Sequence, residues 1–288
     1  MGDKTKIDWA DATWNPVTGC LHGCEYCYAR KIAERFRARE IYDPECQCQR
    51  HLIARGMLKG TGKPLELDYP WKQRNKDGSI TNAAYPFGFE PTFHRYKLDE
   101  PQKWKKPRNI FVCSMADLFG EWVPDEWIDE TIKATQKALQ HRYLFLTKNP
   151  ERYKEWLERF EEGQIDGLDE IQNCWFGASA SNNAELERAN QSSANWISIE
   201  PIRERIFTDE DQFMEFRPYD GLEMRRWLWV VIGAETGNSK HKTVPKMEWV
   251  EEIAKVCKEY GTPVFMKESL RYLMGADFRQ EFPWEVRA

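Results

Sequence analysis

Cys20, Cys24 and Cys27 stand in the stretch TGCLHGCEYCYARKIAERF, residues 18–36, three thiols within eight positions. Thiols that close can pair as a disulfide, share a metal ion, or hold an inorganic cluster. Their spacing is C-x3-C-x2-C. A structural zinc site completes four ligands, commonly from two ligand pairs a longer span apart, and here the second pair is missing. Zinc would have to be completed by His22, inside the loop, or by Cys46 or His51 downstream. Three thiolates on an iron–sulfur cube instead leave one iron open, the vacancy that a catalytic metal centre needs. His22 reads as a hydrogen-bonding support for the loop rather than an iron ligand.

The remaining cysteines carry less chemistry. Cys113 lies in the strand-like NIFVCS, Cys174 precedes WFGAS, and Cys257 shares a helical face with Val250, Ile253 and Ala254. All three read as small core residues. Cys46 and Cys48 form one short C-x-C, a weak signal for a second metal. No run approaches the roughly 18 apolar residues of a spanning helix, and the charged start MGDKTKIDWAD is not a signal peptide. The expected location is the cytoplasm, with no membrane, where clustered thiols bind metal or react more often than they cross-link.

Charge is unevenly spread along the 288 residues, whose net charge is −5. Residues 28–108 hold 18 Lys/Arg against 10 Asp/Glu, so the rest of the chain is acidic. A basic third on an acidic body fits either a local anionic partner, such as a nucleotide or nucleic acid, or a charge-mixed solvated surface.

The elements that must position the thiols follow a simple rhythm. Short apolar runs, 109–114, 143–147, 174–179, 196–199, 227–233 and 263–267, read as buried strands, with TWNPVTG as a weaker first strand. Helical patterns lie between them: PDEWIDETIKATQKALQ with a stripe of Ile128, Ile132, Thr135 and Leu139, then NPERYKEWLERFEEG, SNNAELERAN and KMEWVEEIAKVCKEYG. After the thiol loop, Ala29, Ile32, Ala33 and Phe36 form a core stripe. Strand and helix in alternation predict an α/β fold, a partial or near-complete (β/α) TIM-like barrel in one domain over 1–288. An open doubly wound sheet is the alternative. Residues 41–108 break the rhythm and form a long insertion or rim subdomain after the first helix, rich in aromatics that include Tyr69, Trp71, Tyr85, Phe87, Phe89, Phe93, Tyr96 and Trp104.

The stretch CLHGCEYC, with Tyr26 before the last cysteine, resembles the signature of the radical S-adenosylmethionine (SAM) superfamily. WNPVTGC, CYA, FHRYKLDEPQKWKKPRNIFVCSMADLFG, FLTKNPERY, SIEP and VIGAETG resemble a bacteriophage-associated subfamily of radical-SAM-like proteins, over most of the chain but hardly at all in 41–84. The resemblance implies a barrel of the radical SAM type, with the cysteine loop after the first strand. It also implies a [4Fe-4S] cluster on Cys20, Cys24 and Cys27 and SAM on the open iron. An external one-electron reductant of flavodoxin or ferredoxin type would feed the cluster. Cleavage of the sulfonium would yield a 5′-deoxyadenosyl radical that abstracts hydrogen from substrate. Tyr26 would contact adenine, and in SMADLFG either Ser114 or Asp117 would receive the methionine amino group.

Barrel chemistry collects at the C-terminal ends of strands. That rule selects Ser114, Met115 and Asp117, then Thr147 and Lys148, Ser179 and Asn182, and Glu200, all on the cofactor side. Glu235 and Lys267 are the expected catalytic residues. A carboxylate at a strand end also serves as a helix cap or ion-pair partner, so each assignment has a structural competitor. The competing function is a metal-stabilised nucleic-acid-binding protein without SAM chemistry, using the basic aromatic insertion to stack bases.

Overall fold

The apolar runs form strands in the computed structural model, which describes residues 5–38, 41, 65–206, 213, 217–219, 222–224, 226–236 and 242–285. Cys46, Cys48 and His51 lie outside the described residues. The chain divides into two compact units, one of Asp11–Phe145 with Ile165–Cys174, the other of Thr5–Ala10, Leu146–Gln164 and Trp175–Ala288.

The first unit contains β1 (Ala12–Trp14), β2 (Val17–Thr18), α1 (Tyr28–Arg35), β3 (Leu65–Leu67), β4 (Lys72–Arg74), β5 (Ile80–Asn82), β6 (Thr92–His94), β7 (Asn109–Val112), α2 (Asp125–Gln136) and most of β8 (Arg142–Thr147). TWNPVTG is therefore two short strands. β1 pairs in parallel with β7, and β7 with β8. β2 leaves that sheet and runs antiparallel to β6, which pairs in parallel with β3.

The second unit contains α3 (Arg152–Glu161), β9 (Cys174–Ala180), α4 (Asn183–Gln191), β10 (Trp196–Ile199), β11 (Arg217–Tyr219), β12 (Leu222–Met224), β13 (Trp229–Ile232), α5 (Met247–Glu259), β14 (Val264–Met266) and α6 (Arg271–Met274). Every residue of β10, β13 and β14 is buried, which is why these runs are continuously apolar rather than alternating. Register places Trp196 beside both Gly177 and Trp229. The two indoles lie 5.2 Å apart, and Trp9 meets the Trp196 ring edge-on at 5.4 Å. A Cβ at Gly177 would stand 2.2 Å from the Trp196 ring, so glycine is the residue this register admits.

Strand order in the main sheet is β1-β7-β8-β9-β10-β13-β14, and its registered pairs are all parallel. The order follows the chain without reversal. A doubly wound sheet reverses at a switch point, so this connectivity excludes that alternative and matches a partial (β/α) barrel. Among the described residues no helix is long and apolar enough to cross a membrane.

Three local expectations change. In α1 only Ala29 and Ala33 are buried, against Phe89 and Met115, while Ile32 and Phe36 are 38% and 55% exposed. A helix of two turns resting on one neighbour buries a narrow line, and the two alanines four residues apart supply it. Leu139 is exposed because α2 ends at Gln136, one turn short of it. In the described part of the insertion, Phe87, Phe89 and Phe93 are buried, and Trp71 packs on Phe87. Its aromatics build a local core with Ala38, Ile41 and Leu67, and Tyr69 is the one large aromatic there that is strongly exposed among the described residues. Cys113, Cys174 and Cys257 are buried, as expected.

Candidate functional site

The thiol loop joins β2 to α1 in the first unit. Its entry is set at Gly19, whose φ of +89° favours glycine and whose N–H donates to the Met115 carbonyl at 2.9 Å. A side chain there would meet the Glu90 carbonyl oxygen at 2.3 Å. Cys20 donates its N–H to the Phe89 carbonyl, and its own carbonyl accepts from the Arg30 guanidinium at 3.2 Å. The exit is Cys27, which caps α1 by accepting the Arg30 N–H on Sγ at 3.3 Å. Cys20, Cys24 and Cys27 are all half-buried, and none is in a disulfide. Tyr26 is half-buried in the turn before Cys27.

Burial pushes the Cys20 thiol up to about 12. The negative charge of Asp117 adds to this, as would thiolates at Cys24 and Cys27, while the His22 N–H opposes it. Cys20 thus lies within electrostatic reach of Cys24 and of Cys27. Among the described residues, however, no three Cys, His, Asp or Glu side chains converge so as to hold a metal ion.

The segment after β7 faces this loop within the same unit. Cys113 sits in the left-handed region at φ +56°, an uncommon and costly conformation for a residue with a side chain, at the point where the strand breaks into SMADLFG. Asn15 then accepts on one oxygen from both the Ser114 hydroxyl at 3.1 Å and the Met115 N–H at 2.9 Å. The Ser114 carbonyl accepts from the Tyr28 hydroxyl at 2.8 Å. Asp117 is buried. Its Oδ2 lies 2.7 Å from His22 Nε2, and its Oδ1 accepts the Phe119 N–H at 3.1 Å. The His22 ring stands edge-on to Trp122 at 4.8 Å, and the buried Trp122 N–H has no hydrogen-bond partner among the described residues. Asn15, Arg30 and Trp122 escape a rule that looks only at cysteines and strand ends. The Asn-Pro pair just before the cysteines was the available signal for Asn15.

The other predicted residues belong to the second unit. Thr147 is buried and accepts the Asn149 N–H on its hydroxyl. Asn182 caps α4 by accepting the Glu185 N–H at 2.9 Å. Lys148 stands 3.9 Å from Glu185, which also accepts from Ser181. Ser179 is half-buried in β9, in register with Ser198 of β10. Three consecutive strand ends converge more closely. Lys267 Nζ donates to Glu200 Oε1 at 2.6 Å, and Gly233 between them leaves room, since a Cβ there would stand 3.0 Å from Lys267 and 3.2 Å from Glu200. Glu235 is nearly buried, 3.8 Å from Arg203, and accepts the Thr243 N–H. The strand-end rule therefore found one ion pair between two of its own residues, Glu200–Lys267, and one buried carboxylate, but it also collected a helix cap and a turn threonine.

No curated protein and no solved structure matches the chain. A family described as Protein of unknown function (DUF5131) matches residues 4–277, nearly the whole length. By that match the chain belongs to the DUF5131 family.

Proposed function

We propose that the chain is a radical SAM enzyme, in which Cys20, Cys24 and Cys27 each bind one iron of a [4Fe-4S] cluster and the fourth iron takes SAM. The observation that carries the reading is the loop: three half-buried thiols between a strand and a helix, the last of them capping the helix N-terminus. The donor set suits a cube. Each thiolate of a cube takes a separate iron, so the sulfurs need not converge on one point as zinc would require. The unmatched Trp122 N–H beside the loop is a donor that a bound ligand could satisfy. Bound there, the cluster and SAM would supply the reductive cleavage that starts radical chemistry, fed by an external flavodoxin- or ferredoxin-type donor.

The chain's own residues then hold and exclude. Asn15 fixes Ser114 and Met115 against the loop, and Tyr28 ties α1 to the same segment. Tyr26 is the residue for the adenine. Glu200 and Lys267 form a balanced pair, so a ligand carrying a carboxylate or phosphate could take over the lysine's hydrogen bond. Glu235, held by Arg203, is a carboxylate kept ready at a strand end. The substrate class is a nucleotide or nucleic acid, held mainly through basic side chains, because Phe87, Phe89 and Phe93 are buried and Trp71 packs on Phe87, leaving Tyr69 as the one strongly exposed large aromatic among the described residues of the insertion.

The test is metal content. Anaerobically reconstituted protein should be brown with about four irons per chain, and Cys24→Ala should lose them. A colourless protein that takes up zinc alone contradicts the proposal.

A further inference from the structure

The thiol loop is fixed at both ends, and His22 ties it to Asp117 between them. Gly19 and Cys20 are tied by backbone hydrogen bonds, and Cys27 is tied by its capping bond. Between them Leu21, Gly23 and Glu25 are exposed. His22 is the side chain that turns back, with Nε2 2.7 Å from Asp117 Oδ2. Asp117 cannot easily yield, because it is 5% exposed, its other oxygen holds the Phe119 N–H, and its carbonyl accepts the Gly120 N–H. Trp122 closes the other side of the imidazole.

We infer that His22 and Asp117 are a positioning pair that sets the shape of the cysteine loop, with Asp117 acting through His22 rather than by touching SAM. Asp117 is buried, with one oxygen turned to the imidazole and the other to the Phe119 N–H, so its part is to hold the loop and the methionine amino group falls first to Ser114. The inference goes beyond the proposed function, since the loop is held whether or not iron is bound. Its statement about SAM and its spectroscopic test rest on the iron–sulfur reading.

The test uses two substitutions that differ in reach. In His22→Gln the side-chain amide nitrogen falls near the place of Nε2 and can still donate to Asp117. In His22→Asn it falls near Nδ1 and cannot. In the iron-free full-length protein under reducing conditions, the rate of iodoacetamide labelling is read at each cysteine by mass spectrometry. Labelling of Cys20 and Cys24 should rise about fivefold in His22→Asn, the effect of losing one hydrogen bond of ordinary strength, and stay near wild type in His22→Gln. Buried Cys113, Cys174 and Cys257 report on the fold and should stay unlabelled in both. In reconstituted protein, His22→Asn should keep its iron but change the electron paramagnetic resonance spectrum of the reduced cluster, and His22→Gln should restore it.

Equal labelling of the wild type and both variants overturns the inference, as does His22→Gln behaving like His22→Asn. If His22→Asn labels the buried cysteines as well, Asp117→Asn, which keeps an acceptor for the imidazole, is compared with Asp117→Leu, which does not. Equal labelling of those two also overturns it. If wild type takes up no iron while the labelling pattern holds, the proposed function fails and the positioning pair stands.

Discussion

His94 offers a sharp test of how the loop's approach strand is held. It lies on β6, fully buried, with its N–H bonded to the Pro16 carbonyl, its Nε2 2.8 Å from the Thr18 hydroxyl and its Nδ1 3.2 Å from the Tyr96 hydroxyl. Thr18 is the last residue of β2, directly before Gly19 and Cys20. Burial, and secondly the positive charge of Lys97, hold the imidazole well below its ordinary 6.5. Well above pH 6.5 the ring is neutral folded or unfolded and contributes no pH dependence. As pH falls below 6.5 the unfolded chain takes up a proton that the folded chain refuses, so stability falls with pH. With one proton bound only by the unfolded state, the loss between pH 7.5 and 5.0 is about 2 kcal/mol. The assay is urea unfolding of wild type and His94→Gln at both pH values. Wild type should lose about 2 kcal/mol more than the variant on acidification. Glu100, whose carboxyl is raised by burial, works in the opposite direction but is present in both proteins and cancels in the comparison. The same pH dependence in both proteins would refute the reasoning.

Two further substitutions probe the second unit. Gly177→Ala drives a methyl group into the Trp196 ring, which Trp9 and Trp229 prevent from yielding, and should cost about 1–3 kcal/mol in urea unfolding. Combined with Trp196→Phe it should cost less than the sum of the two single changes, and simple additivity would show that the contact is not there. Lys267→Met strands the half-buried Glu200 carboxylate and should destabilise by about 1–2 kcal/mol, whereas the added Glu200→Gln should recover most of that loss. No recovery in the double variant would mean that the pair is not coupled.

How much of this was legible beforehand follows from what each signal measures. Continuous apolar runs mark strands buried on both faces, so 196–199 was bounded correctly and its neighbours to within a residue or two. Strand order was not in the pattern and came from the parallel register of the sheet. The α1 stripe failed at Ile32 and Phe36 because periodicity says which residues share a face, not how wide a neighbour lies against it. The insertion's aromatics were legible as aromatics but not as core, since burial depends on partners far along the chain, as with Ile41 and Phe87. In the site, the thiols were evident from spacing alone. His22 was read as a hydrogen-bonding support and Asp117 as a cofactor contact, but their pairing across 95 residues could not be read from the sequence. Asn182 and Thr147 show the same limit, because a local cap and a ligand contact call for the same short polar side chain.

The central claim is that the three thiols arm SAM for cleavage. Iron-loaded protein incubated anaerobically with SAM and dithionite, followed by quantitation of 5′-deoxyadenosine and methionine, tests it most directly. The account predicts both products in equal amounts from the wild type and neither from Cys24→Ala. Fully iron-loaded wild type that releases no more of either product than Cys24→Ala would contradict it.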